Sequence, residues 1–513
     1  MRRGLILRPH AILCKTQSCW RKSLCIYRIQ HKLSTVIPTS QPVTSTSVSL
    51  KRALGWKSLL CVVYVTICSG PFGLEEMVTA VGPGMTFLLL LLIPIFWGLP
   101  LLFMSAELSS ALPVEGGLYR WVQTAFGDFW GFQAGWWWWL SSFFDCAIYA
   151  VLVADYFEFF YPQMSDLMHW GIALAVIWFF AALNIRGVAS VGTSSIFFVL
   201  FMTLPFVVMI LLAPNFLGPF FSTTTGPETL SISPRIFTPL VPEDKNFGSV
   251  LSTGLLMGIW FVSGFEGIGT AAEEIKNSEK NIARALIFIF PLVLLSYGLP
   301  IWVGLGIDPD WQNWGSGHFS HLAAKVGGSF LGSWVSLAGV ISNMALFSAW
   351  LLSYSRLPFA MAHDGYLPKA LTRLSPKYGT PVTAILLSAI IYSIVAWGDF
   401  RKLVIVDIWV ILGGIFLEFL ALVKLRLSHP NLPRYFRVPG GKTGLWLVVI
   451  SPVAIGLFAM FASSMQEIIA GSLAIATGPV AFVVCNKFIR LRQPVSRRQD
   501  DELNVIADRD SYI

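Results

Sequence analysis

Ser69-Gly70-Pro71-Phe72-Gly73-Leu74-Glu75-Glu76 stands inside an apolar run that extends from Leu59 to about Val81. Proline removes a backbone donor, glycine favours conformations other than helix, and carboxylates are costly beside lipid. In a bilayer each unsatisfied backbone group costs several kcal/mol. The run therefore reads as a broken spanning helix, and such a break is tolerated only where protein encloses it around a cavity. Broken helices at membrane depth build the binding sites of secondary transporters.

The rest of the composition agrees with a membrane setting. The 513 residues are 55% hydrophobic and 12% charged, with a mean hydropathy of +0.67. Soluble chains are about one quarter charged, so a polytopic membrane protein is indicated. Twenty Trp and 39 Phe suit interfacial belts and helix packing. The net charge of +8 then reports topology and does not argue for nucleic acid. The Cys at 14, 19, 25, 61, 68, 146 and 485 have neither CxxC nor zinc spacing, and the His lie mostly in tails and loops. No metal, haem or other cofactor is expected. A nucleophile motif and a phosphate loop are missing, which argues against an enzyme. No carboxylate ring or filter repeat suggests a channel.

Twelve apolar spans follow by the criterion of about 20 residues. They run near 58–81, 85–109, 127–160, 169–185, 189–213, 249–273, 283–306, 329–362, 380–397, 403–424, 444–463 and 467–488. Residues 1–57 carry eleven Lys and Arg and no Asp or Glu, a composition of either a basic cytoplasmic tail or a transit-like segment. Residues 58–488 form the expected transporter domain, and 489–513 a cytoplasmic C-terminal tail. With the N-terminus inside, only Arg235, Lys245, Lys325, Arg401 and Lys402 of the 36 basic residues fall outside. That asymmetry supports the even span count. The plasma membrane is the expected location, with an organelle membrane as the alternative that the basic tail raises.

The sixth span is interrupted as the first is. It reads Gly258-Ile259-Trp260-Phe261-Val262-Ser263-Gly264-Phe265-Glu266-Gly267-Ile268-Gly269. Small residues can serve helix packing. Two interruptions five spans apart point instead to an inverted repeat with the site at its interface.

Several motifs in order resemble the amino acid–polyamine–organocation superfamily over roughly 58–490. Ala106-Glu107-Leu108, Leu112-Pro113 and Glu115-Gly116-Gly117-Leu118-Tyr119 follow the second span. Gly264-Phe265-Glu266 precedes Glu273-Glu274-Ile275-Lys276-Asn277. Arg356 to Pro381 contains Ala360-Met361-Ala362, Asp364-Gly365, Leu367-Pro368 and Tyr378-Gly379-Thr380-Pro381. The resemblance implies an all-α, twelve-helix, LeuT-like bundle of two inverted five-helix repeats plus two helices, with helices 1 and 6 broken. Within it the chain is similar to eukaryotic polyamine uptake transporters of the L-type branch, on Gly70-Pro71-Phe72-Gly73 followed by acid and on the third span around Trp139-Leu140-Ser141, Asp145 and Tyr149. The implied activity is polyamine import by proton symport. The alternative is an amino acid permease, neutral or cationic, of the same fold.

The candidate substrate site comprises Ser69, Gly70, Pro71, Phe72, Gly73 and Glu75 from the first break, Asp145 and Tyr149 from the third span, and Ser263, Gly264 and Glu266 from the second break. A polyamine lacks a carboxylate and needs several acceptors, and intramembrane carboxylates are functional candidates. Adjacent side chains on a helix diverge by about 100°, so Glu75 and Glu76 do not both face a cavity. The resemblance favours Glu75 as ligand, leaving Glu76 to cap the second half-helix. Asp145 shares a helical stripe with Trp138, Tyr149 and Tyr156, which reads either as a polar cavity wall or as packing. Asp155 reads as a rim charge. Glu266 is a candidate both for ammonium binding and for carrying the coupling proton. Trp260 resembles the sixth-span gate tryptophan of bacterial arginine–agmatine antiporters, and Glu107, in the Ala-Glu-Leu motif, is expected at the cytoplasmic gate.

Overall fold

The computed structural model describes residues 60, 64, 68, 70–112, 117–187, 195–213, 237–243, 245–264, 278–434 and 436–488. Ser69, Glu266 and both tails lie outside the described residues. The motif pieces Glu115-Gly116 and Glu273 to Asn277 do so as well. Among the described residues the chain is helical with no strand, apart from one isolated bridge between Leu374 and Pro381.

The first break opens into α1 (Leu74–Val81), and Gly82 turns the chain into α2 (Pro83–Ala111). One π turn at Pro94–Gly98 interrupts α2, where Pro94 and Pro100 withdraw donors from the ladder. The short α3 (Gly117–Phe126) leads into α4 (Asp128–Phe157). Then come α5 (Asp166–Ile185), α6 (Ser195–Leu212) and α7 (Phe247–Phe261), which ends at the second break. The remainder is α8 (Ser278–Ile307), α9 (His318–Tyr354), α10 (Arg356–His363), α11 (Val382–Val395), α12 (Phe400–Ser428), α13 (Gly441–Phe461) and α14 (Met465–Phe488).

Eight helical stretches are long and apolar enough to cross a membrane, and three shorter apolar helices join them: Val199–Leu212, Phe247–Phe261 and Val382–Val395. The chain is a multi-pass helical membrane protein. The eighth span begins where hydropathy places it, at the bend Gly327–Gly328 that interrupts α9, and the piece from His318 to the bend precedes it. His318, His321 and Lys325 make that first piece too polar for an apolar window to include.

Two helices hold the centre. The apolar stretch of α12 is 78% buried and that of α4 72%, against 11% for α14, so α4 and α12 form the core while α14 lies at the periphery. α4 and α12 run antiparallel in contact along their length, and α4 also packs on α9, α5 and α11. Gly414 permits the approach: a Cβ there would stand 2.9 Å from Cδ1 of Trp138. α7 packs on α1, which brings the two breaks together. The Tyr297 hydroxyl of α8 lies between them, 2.9 Å from the Phe261 carbonyl and 3.4 Å from that of Cys68.

Candidate functional site

At the first break, Gly70 and Gly73 adopt φ of +103° and +90°, a region that suits glycine. Three of the backbone donors there are engaged within the chain. Pro71 has no N–H. Gly73 N donates to Glu75 Oε2 at 2.9 Å, Leu74 N to the Pro71 carbonyl at 3.2 Å, and Glu76 N to the Gly73 carbonyl at 3.2 Å. Glu75 thus folds back over the start of its own half-helix, where a carboxylate complements the positive end. It is fully buried, and its Oε1 also accepts from the Tyr156 hydroxyl at 2.5 Å and from Phe319 N at 3.3 Å. Glu76 points elsewhere: Arg401 donates to it at 2.8 Å and Ser316 N at 3.2 Å. The capping role given to Glu76 by its sequence position falls to Glu75. Neither carboxylate lines the cavity beside the break.

That cavity, about 50 Å³, is lined by Gly70 and Phe72 of the first break and by Trp260 and Ser263 of the second. It is room for a few waters. Asp145 and Tyr149 of α4, Asp407 of α12, and Asn343, Trp350 and Tyr354 of α9 complete the polar and aromatic wall. Asp145 is buried; Trp260 Nε1 donates to its Oδ1 at 3.0 Å and the Tyr354 hydroxyl to its Oδ2 at 3.1 Å. The Tyr149 and Trp260 rings lie 5.7 Å apart at 33°, and Trp350 stacks on Tyr354 at 5.1 Å. No Lys, Arg or His is among the described lining residues. The wall can therefore hold a cation by carboxylate and aromatic faces, with no residue to pair with an anion.

Six of the candidate residues line this cavity together: Gly70, Phe72, Asp145, Tyr149, Trp260 and Ser263. Gly264, described with φ +109°, follows directly. Asp407 and Tyr354 were missed. Asp407 is a buried carboxylate in the apolar tenth span, so the rule that flagged Asp145 applies to it equally. Glu418, also in that span, is buried and accepts from Trp138 Nε1 at 2.6 Å. The stripe on α4 is thus a series of anchors: Trp138 to Glu418, Ser141 to Asp407, and Tyr156 to Glu75.

The family model of the amino acid permeases matches residues 54–485. The chain belongs to that family. Within the amino acid–polyamine–organocation superfamily, a polyamine transporter of rice, PUT1, is 32% identical over 84% of this chain and 78% of its own. A polyamine transporter of Arabidopsis thaliana, RMV1, is 31% identical over 87% and 89%. A branched-chain amino acid permease of Bacillus subtilis, BcaP, is 28% identical over 77% and 86%. The protein is accordingly a membrane transporter and not an enzyme.

The permease's other motif residues meet at the N-terminal end of α4. Tyr119 and Arg120 both donate to Asp364, at 2.6 and 2.9 Å. Glu107 is buried under two guanidiniums: Arg426 grips both its oxygens, Arg434 Nε lies 3.2 Å away, and Val438 N donates at 2.7 Å. At the opposite end a second cavity of about 480 Å³ is lined by Glu76, Asp155, Glu158, Asp166 and Asp399. Asp155 is paired with His169 at 2.6 Å. Phe400 lines this cavity and meets the Trp260 ring edge-on, 5.7 Å between centroids, so the two aromatics stand between the cavities.

Proposed function

We propose that this permease imports polyamines of the putrescine and spermidine class, by proton symport and alternating access. One observation carries the choice of substrate. The amide just before α1, Gly73 N, is occupied by the chain's own Glu75, while the cavity wall offers carboxylates without a basic partner. In broken-helix transporters the half-helix start is the place for a substrate carboxylate. Here an amino acid finds that place filled, and an amine needs nothing from it. Each positive charge moving into a negative-inside cell gains about 2.3 kcal/mol per 100 mV, which favours import of a dication.

The same proposal includes the twelve-span, two-repeat fold with its N-terminus inside, rocking about the paired breaks, in the plasma membrane. Trp260 with Phe400 would close the outer side and Glu107 the inner. Glu266 would take the coupling proton or a substrate ammonium. Likeness to the Bacillus subtilis permease supports a second reading, transport of amino acids. Uptake of labelled putrescine and spermidine against leucine and arginine, in transport-deficient cells at acid and neutral external pH, tests the choice. Polyamine uptake that rises in acid is expected. Leucine or arginine uptake that polyamines do not inhibit overturns the reading.

A further inference from the structure

We propose that Asp407, anchored by Ser141, is a second ammonium subsite, so that the cavity recognises a diamine at both ends. The proposal rests on the polyamine reading above. Asp145 and Asp407 both line the cavity, from α4 and α12 respectively. Their partners differ. Both Asp145 oxygens have donors, whereas Asp407 receives one bond, from the Ser141 hydroxyl to its Oδ1 at 2.5 Å. Its Oδ2 has no donor among the described residues, although the side chain is only 2% exposed. A buried carboxylate so poorly supplied is costly unless a cation completes it.

The separation also fits. Ser141 and Asp145 are four residues apart on one face of α4, so their backbone positions lie about 6 Å apart along the axis, and Asp407 is hydrogen-bonded to the Ser141 end. Four methylenes hold two amine nitrogens roughly 6 Å apart when extended. Once the cavity, now room for a few waters, widens to admit a diamine, one ammonium at Asp145, under Tyr149 and Trp260, leaves the other beside Asp407. A monoamine fills the first position alone.

Competition against labelled putrescine uptake by the full-length chain, with unlabelled putrescine and 1-aminobutane as competitors, tests this. The wild type should prefer putrescine by about tenfold or more, the worth of one charge-assisted contact. D407N, normalised to protein at the cell surface, should raise the putrescine KM about tenfold and leave inhibition by 1-aminobutane unchanged, so that the preference collapses. A preference that survives in D407N overturns the proposal, as does a loss of putrescine Vmax at unchanged KM, which would mark Asp407 as only a tie between α12 and α4. Should D407N fail to reach the surface, S141A is read the same way: reduced preference supports the subsite, and unchanged preference overturns it. A wild type that takes up putrescine but does not prefer it also removes the subsite while leaving the polyamine reading intact. A wild type that takes up no amine removes both.

Discussion

Asp145 and Glu107 are both buried carboxylates inside helices, and their surroundings could hardly differ more. Glu107 sits beneath two guanidiniums and a backbone amide, its charge answered by the chain itself. Asp145 is held by an indole and a phenol, which orient it without neutralising it. Burial is common to both, so burial does not separate a binding group from a holding group. The charge of the partner does. A carboxylate met only by neutral donors keeps its attraction for a cation from solution, and the aromatic wall around Asp145 suits the same guest.

The contrast can be broken first at Glu107. E107Q leaves Arg426 and Arg434, both 6% exposed, without their anion. Removing one member of a buried pair costs about 3–5 kcal/mol. Thermal unfolding of the detergent-solubilised protein should fall by several degrees. Equal melting of variant and wild type would show that Glu107 pins nothing. D145N should do the reverse: normal melting and surface level, and uptake of putrescine down by about 30-fold or more, since a desolvated charge contact is worth roughly 2–5 kcal/mol. Retained uptake in D145N would remove Asp145 from the site and with it the premise of a cation cavity.

Much of this was legible in the chain. Eight of the expected spans are long apolar helices among the described residues and were legible from apolar length, and the breaks from glycine and proline where lipid forbids them. Asp145 could be named because a carboxylate is costly in a membrane, Tyr149 by its helical spacing from Asp145, and Trp260 by its resemblance to the gate tryptophan of arginine–agmatine antiporters. Facing was not legible. Tyr354, Trp350 and Asn343 belong to a helix whose rotation only packing decides. Glu75 and Glu76 are equivalent in sequence, and what separates them is Tyr156 on one side and Arg401 on the other, 81 and 325 residues away. Glu266 is a matter for experiment, since its segment lies outside the described residues.

The smallest expected effect sharpens the contrast at a third carboxylate, Glu75, which faces neither cation nor cavity but covers the Gly73 N–H. Ornithine is putrescine with an α-carboxylate added, so the pair isolates the response to that one group. In E75A the Gly73 donor is free and the half-helix start is uncovered. An anion there gains about 0.3–1 kcal/mol, so ornithine should compete with labelled putrescine about two- to fivefold better than in the wild type. Putrescine uptake itself reports that the variant is folded. Unchanged exclusion of ornithine would mean that the amides at this break do not set the choice between amine and amino acid. E75Q separates two causes. Its amide oxygen still accepts from Gly73 but carries no charge. If occupation of the donor excludes the carboxylate, E75Q behaves like the wild type; if repulsion between two anions does, it behaves like E75A.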